Sequence, residues 1–319
     1  MKILAIDVGR TTFRAVVVSG DGRQASVRLD SGATLADPDG VLRLVDLVGS
    51  ARRALGEAAI TGLDSVVVAA AGALYRPAQA AALAQRLADD GHAGEVVVTT
   101  DIVAAHSGAL NGRPGVVLAA GTGAVAFAVA DSATTTVVDG AGYLVGDAGS
   151  GFAVGRAGLA AAIRHHDGRP GGSARLAEFA AERFGELAEL PGTLHGDDHP
   201  ARAIASFAPS VAAAARADDP VAAGIWAAAA AELADTATAA CAALPERDRR
   251  IAVVGSLFEL SDLVTEPFTA AMRARLPGVA VRRAAEDSAA GAARLAERPA
   301  GVYENLLFRR ASARTAQRL

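Results

Sequence analysis

Four short stretches of this 319-residue chain combine residue types suited to phosphate and hydroxyl chemistry. Asp7-Val8-Gly9-Arg10-Thr11-Thr12 offers a carboxylate, a glycine that lets backbone approach a ligand, and two hydroxyls. Successive N–H groups in such a turn form an anion-binding concavity, and Asp7 suits a hydrated Mg2+, which prefers carboxylate and phosphate oxygens. The same composition also makes an ordinary hairpin turn. Gly121-Thr122-Gly123 is a second turn of this kind. It lacks the Gly-Lys-Ser/Thr of a Walker A loop and is no G-x-G-x-x-G; in both of those motifs a helix N-terminus receives the phosphate. Here the segment that follows, AVAFAVA, reads as a strand. Two such hairpin tips can grip a phosphate chain from opposite sides.

Asp101 follows the apolar run at residues 96–98, where ligands of open α/β sheets bind. A carboxylate there can take the proton of a hydroxyl attacking a γ-phosphate. It can equally cap a helix over residues 102–110. Asp147 lies in GYLVGDAGSG, whose glycines imply tight turns and close ligand approach; it suits sugar hydroxyls or an ordinary surface loop. The histidines carry less. His195-Gly196-Asp197-Asp198-His199 reads as a solvated loop without a framework for tetrahedral metal geometry, and His165-His166 suits a helix C-terminus. Ser107 beside His106 is adjacency, not a triad.

The elements that must position these residues alternate between strand and helix. Strands are expected at residues 3–6, 15–18, 24–29, 66–71 (ending at Gly72) and 96–98, with helices at 37–55 (Asp37 as N-cap) and 78–87. A second set follows: strands at 116–119 and 125–129, a glycine-rich segment over 140–155, and helices at 157–165, 172–184, 201–215 and 220–244. A strand at 251–254, closed by Gly255-Ser256, and helices at 261–276 and 288–296 complete it. Each half opens on a hairpin tipped with glycine and threonine. The expectation is an α/β protein with two lobes, covering residues 1–113 and 114–298. Residues 299–319, with Arg309, Arg310, Arg314 and Arg318 against Glu304, lack periodicity and read as a mobile basic tail suited also to a partner contact.

Composition excludes several classes. The chain is 51% hydrophobic and 21% charged, which is not a disordered composition. With 31 basic and 35 acidic residues the net charge is −4, against a general nucleic-acid binder. Lys2 is the only lysine. The single Cys241 cannot form an internal disulfide or a cysteine-rich zinc or iron–sulfur site within one chain. MKILAID reaches an acid too early for a signal-peptide core, and the Ala-rich stretch at 221–244 carries Glu232 and Asp235, so a soluble cytoplasmic protein without membrane contact is expected.

In this order, IDVGRTTFRAVV, VVVTTDIVAAHSGAL, VVLAAGTGAVAFAV, GYLVGDAGSGFAVGRAGL and IAVVGSLFEL followed by EDSAAGAARLA resemble the BadF/BadG/BcrA/BcrD-type ATPase family. Within it the chain resembles the N-acetylglucosamine and glucosamine kinases of the actin–hexokinase–heat-shock ATPase superfamily, over about residues 1–297. The resemblance implies two ribonuclease-H-like lobes with an ATP cleft between them. It implies ATP with Mg2+ as cofactors, a small-molecule sugar as partner and, by analogy, a homodimer. Asp7 (Mg2+ through water), Gly9, Thr11 and Thr12 match its first phosphate motif, Gly121, Thr122 and Gly123 its second, and Gly255 and Ser256 its adenosine motif. Asp101 matches its catalytic base, and Gly72, Asp101 and Asp147 fall at its substrate-binding positions.

The chain departs from the family pattern at several points. Val8 and Arg10 replace glycines. Asp139-Gly140-Ala141-Gly142 stands for a Gly-Gly-Trp-Gly run, and Ala148 for a glutamate. An amino-sugar-binding asparagine is missing from Ser31-Gly32-Ala33-Thr34-Leu35. The expected activity is phosphorylation of an amino sugar at its 6-hydroxyl. Two alternatives stand beside it. One is an activator of 2-hydroxyacyl-CoA dehydratases, which holds an iron–sulfur cluster with two cysteines per subunit. The other is a nucleotide or sugar sensor without turnover, suggested by Ala141 and Ala148.

Overall fold

The computed structural model describes residues 1–9, 12–20, 22–91, 93–297 and 300–312. Among them the strands are β1 (Ile3–Val8), β2 (Thr12–Ser19), β3 (Gly22–Asp30), β4 (Ser65–Ala70), β5 (Glu95–Thr99), β6 (Gly115–Ala120), β7 (Ala124–Val129), β8 (Thr135–Asp139), β9 (Arg250–Val254), β10 (Ala280–Arg283) and β11 (Phe308–Ala311). They form a six-stranded sheet, β11-β5-β4-β1-β2-β3, and a five-stranded sheet, β10-β9-β6-β7-β8. The expected mixed α/β class is thus observed. The chain divides into two compact units, one comprising Met1–Val117, Val129–Thr134 and the chain from Arg283 on, the other Leu118–Ala128 and Thr135–Arg282. The units are therefore not contiguous in sequence, as divisions after residues 113 and 298 assumed.

In the first unit β1 pairs parallel with β4, β4 parallel with β5, and β1 antiparallel with β2. β4, SVVVAA, is buried at every position because both of its faces are covered, which removes the alternation expected of a one-sided strand. Helix Gly40–Leu55 buries Leu44, Val48 and Ala51, and helix Pro77–Asp89 buries Ala80, Leu83, Ala84 and Leu87, each at helical spacing. Helix Gly40–Leu55 starts later than expected. Its N-cap is Asp39, while the Asp37 carboxylate accepts from the Thr34 N–H at 2.7 Å.

Two helices of this unit touch backbone to backbone. A Cβ on Gly291 of helix Ser288–Leu295 would stand 1.9 Å from the Ala104 carbonyl oxygen in helix Asp101–Ala109. A Cβ on Gly108 would stand 2.2 Å from the Asp287 oxygen. This contact brings the late helix into the first unit and fixes where its N-terminus lies.

Within the segment expected to be a mobile tail, the described residues 300–312 form regular structure. Gly301–Leu306 forms a 3-10 turn, and β11 pairs antiparallel with β5. Tyr303 is buried, its hydroxyl 2.8 Å from His106 Nδ1. Arg309 meets Glu304 at 2.9 Å and Glu95 at 3.2 Å. β11 is only FRRA, with Arg309 held by the Glu95 and Glu304 carboxylates and Arg310 by the Gln85 amide oxygen, so no hydrophobic period announces it. Arg314 and Arg318 lie outside the described residues.

In the second unit three expectations shift. Helix Gly151–His166 starts at residue 151, inside the glycine-rich segment, because the Ser150 hydroxyl caps it by accepting from the Ala153 N–H at 3.2 Å. The helix expected over residues 201–215 breaks into Pro200–Ala205 and Ala208–Arg216, with Pro209 starting the second piece. The helix expected from residue 261 opens as a π turn, Ser261–Thr265, before Glu266–Arg275. Pro220–Ala242 is a single helix burying Trp226 and Leu233. No helix among the described residues is long and apolar enough to cross a membrane.

Two helical glycines are expected to respond oppositely to alanine. Gly291→Ala must separate two helix backbones and should cost about 1–3 kcal/mol. Gly224→Ala, in Pro220–Ala242 with nothing within 4 Å of the added Cβ, should stabilise by about 0.5–1 kcal/mol. Denaturant unfolding of both variants checks this; equal shifts would contradict the helix contact.

Candidate functional site

The first unit gathers its carboxylates at the carboxyl ends of parallel strands. Register places Asp7 of β1 beside Ala69 of β4, and Ala69 beside Thr99 of β5, so Asp7 and the Thr100-Asp101 step lie at one edge. Gly9 closes the turn after β1 by donating its N–H to the Thr12 carbonyl at 3.0 Å. Thr12 opens β2 and is exposed; Thr11, the other hydroxyl of the motif, lies outside the described residues.

Asp7 has lost most of its hydration, which pushes its carboxyl up to about 6 from an ordinary 3.8. The hydrogen bond from Ser288 works against this rise, the negative charge of Asp101 adds to it, and Arg14 opposes it. Ser288 Oγ donates to Asp7 Oδ2. Asp287 caps the same helix by accepting from the Ala290 N–H at 3.0 Å, and it pairs with Arg14 at 2.9 Å and with Arg23. The N-terminus of Ser288–Leu295 is thereby tied to β2, to β3 and to Asp7 itself.

Asp101 is the first residue of helix Asp101–Ala109, whose N-cap is Thr100. Its Oδ1 accepts from Thr100 Oγ1 at 2.8 Å and from the Ile102 N–H at 2.9 Å. It is therefore not the helix N-cap. Loss of hydration raises its carboxyl too, against those hydrogen bonds. Two carboxyl groups that resist ionisation at one edge suit a divalent cation or a proton acceptor. Among the described residues no cluster of three His, Cys, Asp or Glu encloses a metal. A Mg2+ ion fits Asp7 through an intervening water, its shell completed by phosphate oxygens and further waters and not by an all-protein cage.

Gly72, at φ +88, lies where a Cβ would stand 2.9 Å from the Ala36 nitrogen. The Leu35 N–H donates to the Ala71 carbonyl at 3.0 Å, and the Ala71 N–H to that of Val8 at 2.8 Å. Residues 31–35 are thus laid beside the ends of β4 and β1, with Ala33, Thr34 and Leu35 buried. No amide side chain is present there to receive an acetamido group.

The second unit brings its own expected residues together. Gly121-Thr122-Gly123 joins β6 to β7, and the Gly121 N–H donates to the Gly123 carbonyl at 2.9 Å. The first N–H groups of helix Gly151–His166 meet this turn: Gly151 donates to the Gly121 carbonyl at 2.7 Å and Phe152 to the Thr122 carbonyl at 3.1 Å. At Gly255, φ +103, a Cβ would stand 2.2 Å from the Ala120 oxygen, so only glycine lets the end of β9 approach β6 there, and a Cβ on Gly121 would stand 3.9 Å from Ser256 Oγ. Asp147 folds onto the same turn. Its Oδ1 accepts from the Ala124 N–H at 3.3 Å, and a Cβ on Gly123 would meet Oδ2 at 2.9 Å.

Sequence reasoning missed Arg14, Asp139, Asp287 and Ser288. Asp287-Ser288 directly before an Ala-rich helix was a legible capping signal, but its partners lie more than 260 residues away in sequence. Asp139, where the family pattern has glycine, accepts from the N–H groups of Asp147 and Ala148. Of the histidine-rich loop, His195 ends helix Leu190–His195 with Nδ1 on the Pro191 carbonyl, and His199 donates its N–H to Asp197.

The model of the BadF/BadG/BcrA/BcrD ATPase family matches residues 4–296. The chain belongs to that family. Among solved structures it is similar to a candidate N-acetylglucosamine kinase from Chromobacterium violaceum, at 23% identity and a TM-score of 0.74, covering 93% of this chain and 99% of that one. It is also similar to a candidate N-acetylglucosamine kinase from Porphyromonas gingivalis, at 18% identity and TM-score 0.69, over 96% and 99% of the two chains. A third is a ROK family glucokinase from Streptomyces griseus in complex with glucose and AMPPNP, at 19% identity and TM-score 0.58, over 92% and 99%. At these identities the likeness is one of fold. No curated protein matches the chain.

A raised folded-state pKa means that the folded protein holds the Asp7 proton more tightly than the unfolded chain. The stability from this proton is complete below about pH 3.8 and is lost as pH rises through about 6. The full loss is at most about 3 kcal/mol. In metal-free buffer, Asp7→Asn should therefore gain stability over the parent between pH 5 and 7.5 in urea titrations. A constant difference across that range would contradict the desolvated Asp7.

Proposed function

We propose that this protein is an ATP-dependent kinase that phosphorylates a sugar hydroxyl, with N-acetylglucosamine or glucosamine, converted to the 6-phosphate, as the leading acceptors. The observation that carries the reading is Asp101, a carboxyl group with raised proton affinity at the carboxyl end of a parallel strand, beside Asp7 on the same sheet edge. Membership of an ATPase family supports nucleotide use. The kinase descriptions of the structural relatives support the acceptor class.

In this reading Gly121, Thr122 and Gly123 hold the nucleotide's phosphates together with Gly9, Thr11 and Thr12, and Gly255 and Ser256 take the adenosine. Asp7 holds Mg2+ through water; when bound, that ion neutralises charge on the β- and γ-phosphates. Gly72 and Asp147 face the acceptor. Asp101 accepts the proton of the acceptor hydroxyl as its oxygen bonds to the γ-phosphorus, and the bond to the β,γ-bridging oxygen breaks to release ADP. The rise in Asp101 proton affinity sets the direction of the pH response: kcat/KM increases with pH as Asp101 loses its proton.

The activator reading requires two cysteines per subunit. Cys241 is single and buried, and burial pushes its thiol up to about 11, away from the thiolate a cluster needs. The sensor reading rests on Ala141 and Ala148 and differs by having no turnover to lose.

The test offers ATP and Mg2+ with glucosamine, N-acetylglucosamine and a hexose panel. The expected result is a sugar phosphate and ADP in equal amounts. Asp101→Ala should lower turnover by about 10²–10⁴-fold while leaving nucleotide affinity in place. Absence of product from every acceptor, or parental turnover in Asp101→Ala, would overturn the proposal.

A further inference from the structure

One carboxylate spans the loop between β8 and helix Gly151–His166. Asp139, the last residue of β8, accepts from the Asp147 N–H with Oδ1 at 2.7 Å and from the Ala148 N–H with Oδ2 at 2.8 Å. Both bonds are charge-assisted, the stronger class of protein hydrogen bond. Asp139 and Asp147 sit at φ +61 and +59, a region that residues with a side chain enter at a cost. Gly146 is pressed against the clasp, since a Cβ there would lie 2.5 Å from Asp139 Oδ1. The tip of the loop adds little of its own: Leu144 and Val145 are 80% and 84% exposed. The Asp139 carboxylate is the side chain that takes the Asp147 and Ala148 N–H groups. It holds Asp147 in its unfavourable backbone conformation together with the bond from the Ser150 N–H to the Asp147 carbonyl at 3.1 Å and that from the Gly146 N–H to the Gly142 carbonyl at 2.8 Å.

We propose that Asp139 is a positioning residue that sets the Asp147 carboxylate against the second glycine turn, and through it the acceptor side of phosphotransfer. The second half of this statement rests on the kinase reading. Asp139 acts by fixing two consecutive N–H groups and the side chain that springs from between them. Displacing a substrate-contacting group by about 1 Å costs on the order of 100-fold in rate, so the clasp has leverage out of proportion to its two hydrogen bonds.

The test uses the full chain and the variants Asp139→Ala, Asp139→Asn, Asp147→Ala and the Asp139→Ala/Asp147→Ala pair. Backbone amide exchange at residues 147 and 148 should accelerate by on the order of tenfold or more in Asp139→Ala, as charge-assisted bonds are lost. Asp139→Asn, which keeps one acceptor oxygen, should restore part of the protection. The kcat/KM for the acceptor should fall by on the order of 100-fold in Asp139→Ala, chiefly through the acceptor's KM, and the double variant should be no slower than Asp147→Ala alone. A merely structural role would lower stability and multiply with Asp147→Ala. Unchanged exchange, or multiplicative losses, would overturn the proposal. Should the parent phosphorylate no acceptor, the kinase reading falls by itself; the clasp is then decided by amide exchange and by the same double-variant cycle on ADP-Mg2+ affinity, where additive effects would overturn it.

Discussion

Two carboxyl groups at one edge of a dry sheet repel each other and resent the loss of water, and the first unit is built around that difficulty. Asp7 and Asp101 arrive there because β1, β4 and β5 run parallel and stop together. Within the sheet Arg14 of β2, opposite Asp7, answers part of the charge, less than the Ser288 hydroxyl does. The larger part comes from a helix late in the chain, Ser288–Leu295, whose first residue donates to Asp7 and whose cap, Asp287, is locked by Arg14 and Arg23. That helix can approach closely only because Gly108 and Gly291 carry no Cβ. Packing and electrostatics are thus one requirement: the glycines bring the helix near, and the helix brings the hydroxyl. The residual rise in proton affinity at both acids is what a cation or a substrate proton would relieve.

The second unit solves a different problem, holding a glycine turn still. The turn's carbonyls are taken by the first N–H groups of helix Gly151–His166, so this helix end serves as a brace for Gly121-Thr122-Gly123. The helix is fixed in turn by Ser150, and the loop before it by Asp139. A turn braced from both flanks keeps its own geometry, the preorganisation that the proposed phosphate role would need.

Much of this was legible in the sequence where the signal was local. Strands such as VVVT before Asp101 and the apolar run ending at Gly72 announce themselves by composition, and the glycine–threonine turns by residue type. The Ala-rich helix Pro220–Ala242 was legible as well, from its abundance of a strong helix former. What escaped depended on distant partners. β11 has no hydrophobic period because half of it is arginine, Arg309 matched by Glu95 and Glu304 and Arg310 by Gln85. The start of helix Gly151–His166 was hidden because its glycines are there for close approach and not for looseness; a Cβ on Gly155 would meet the Ile204 oxygen at 2.0 Å. Nothing local to Asp139 or Ser288 shows that the fold sets backbone N–H groups or a carboxylate in front of them. Acceptor identity is the least legible feature, since residues 31–35 carry no side chain that would distinguish an amino sugar from another hexose.

The most direct measurement of the central claim is a carboxyl-carbon NMR titration of the Asp7 side chain in the parent and in Asp101→Asn, both free of nucleotide and metal. The account predicts a midpoint near 6 in the parent and a lower one in the variant, because one of the two repelling charges is gone. An Asp7 midpoint at the ordinary carboxylate value, or one indifferent to Asp101, would contradict it.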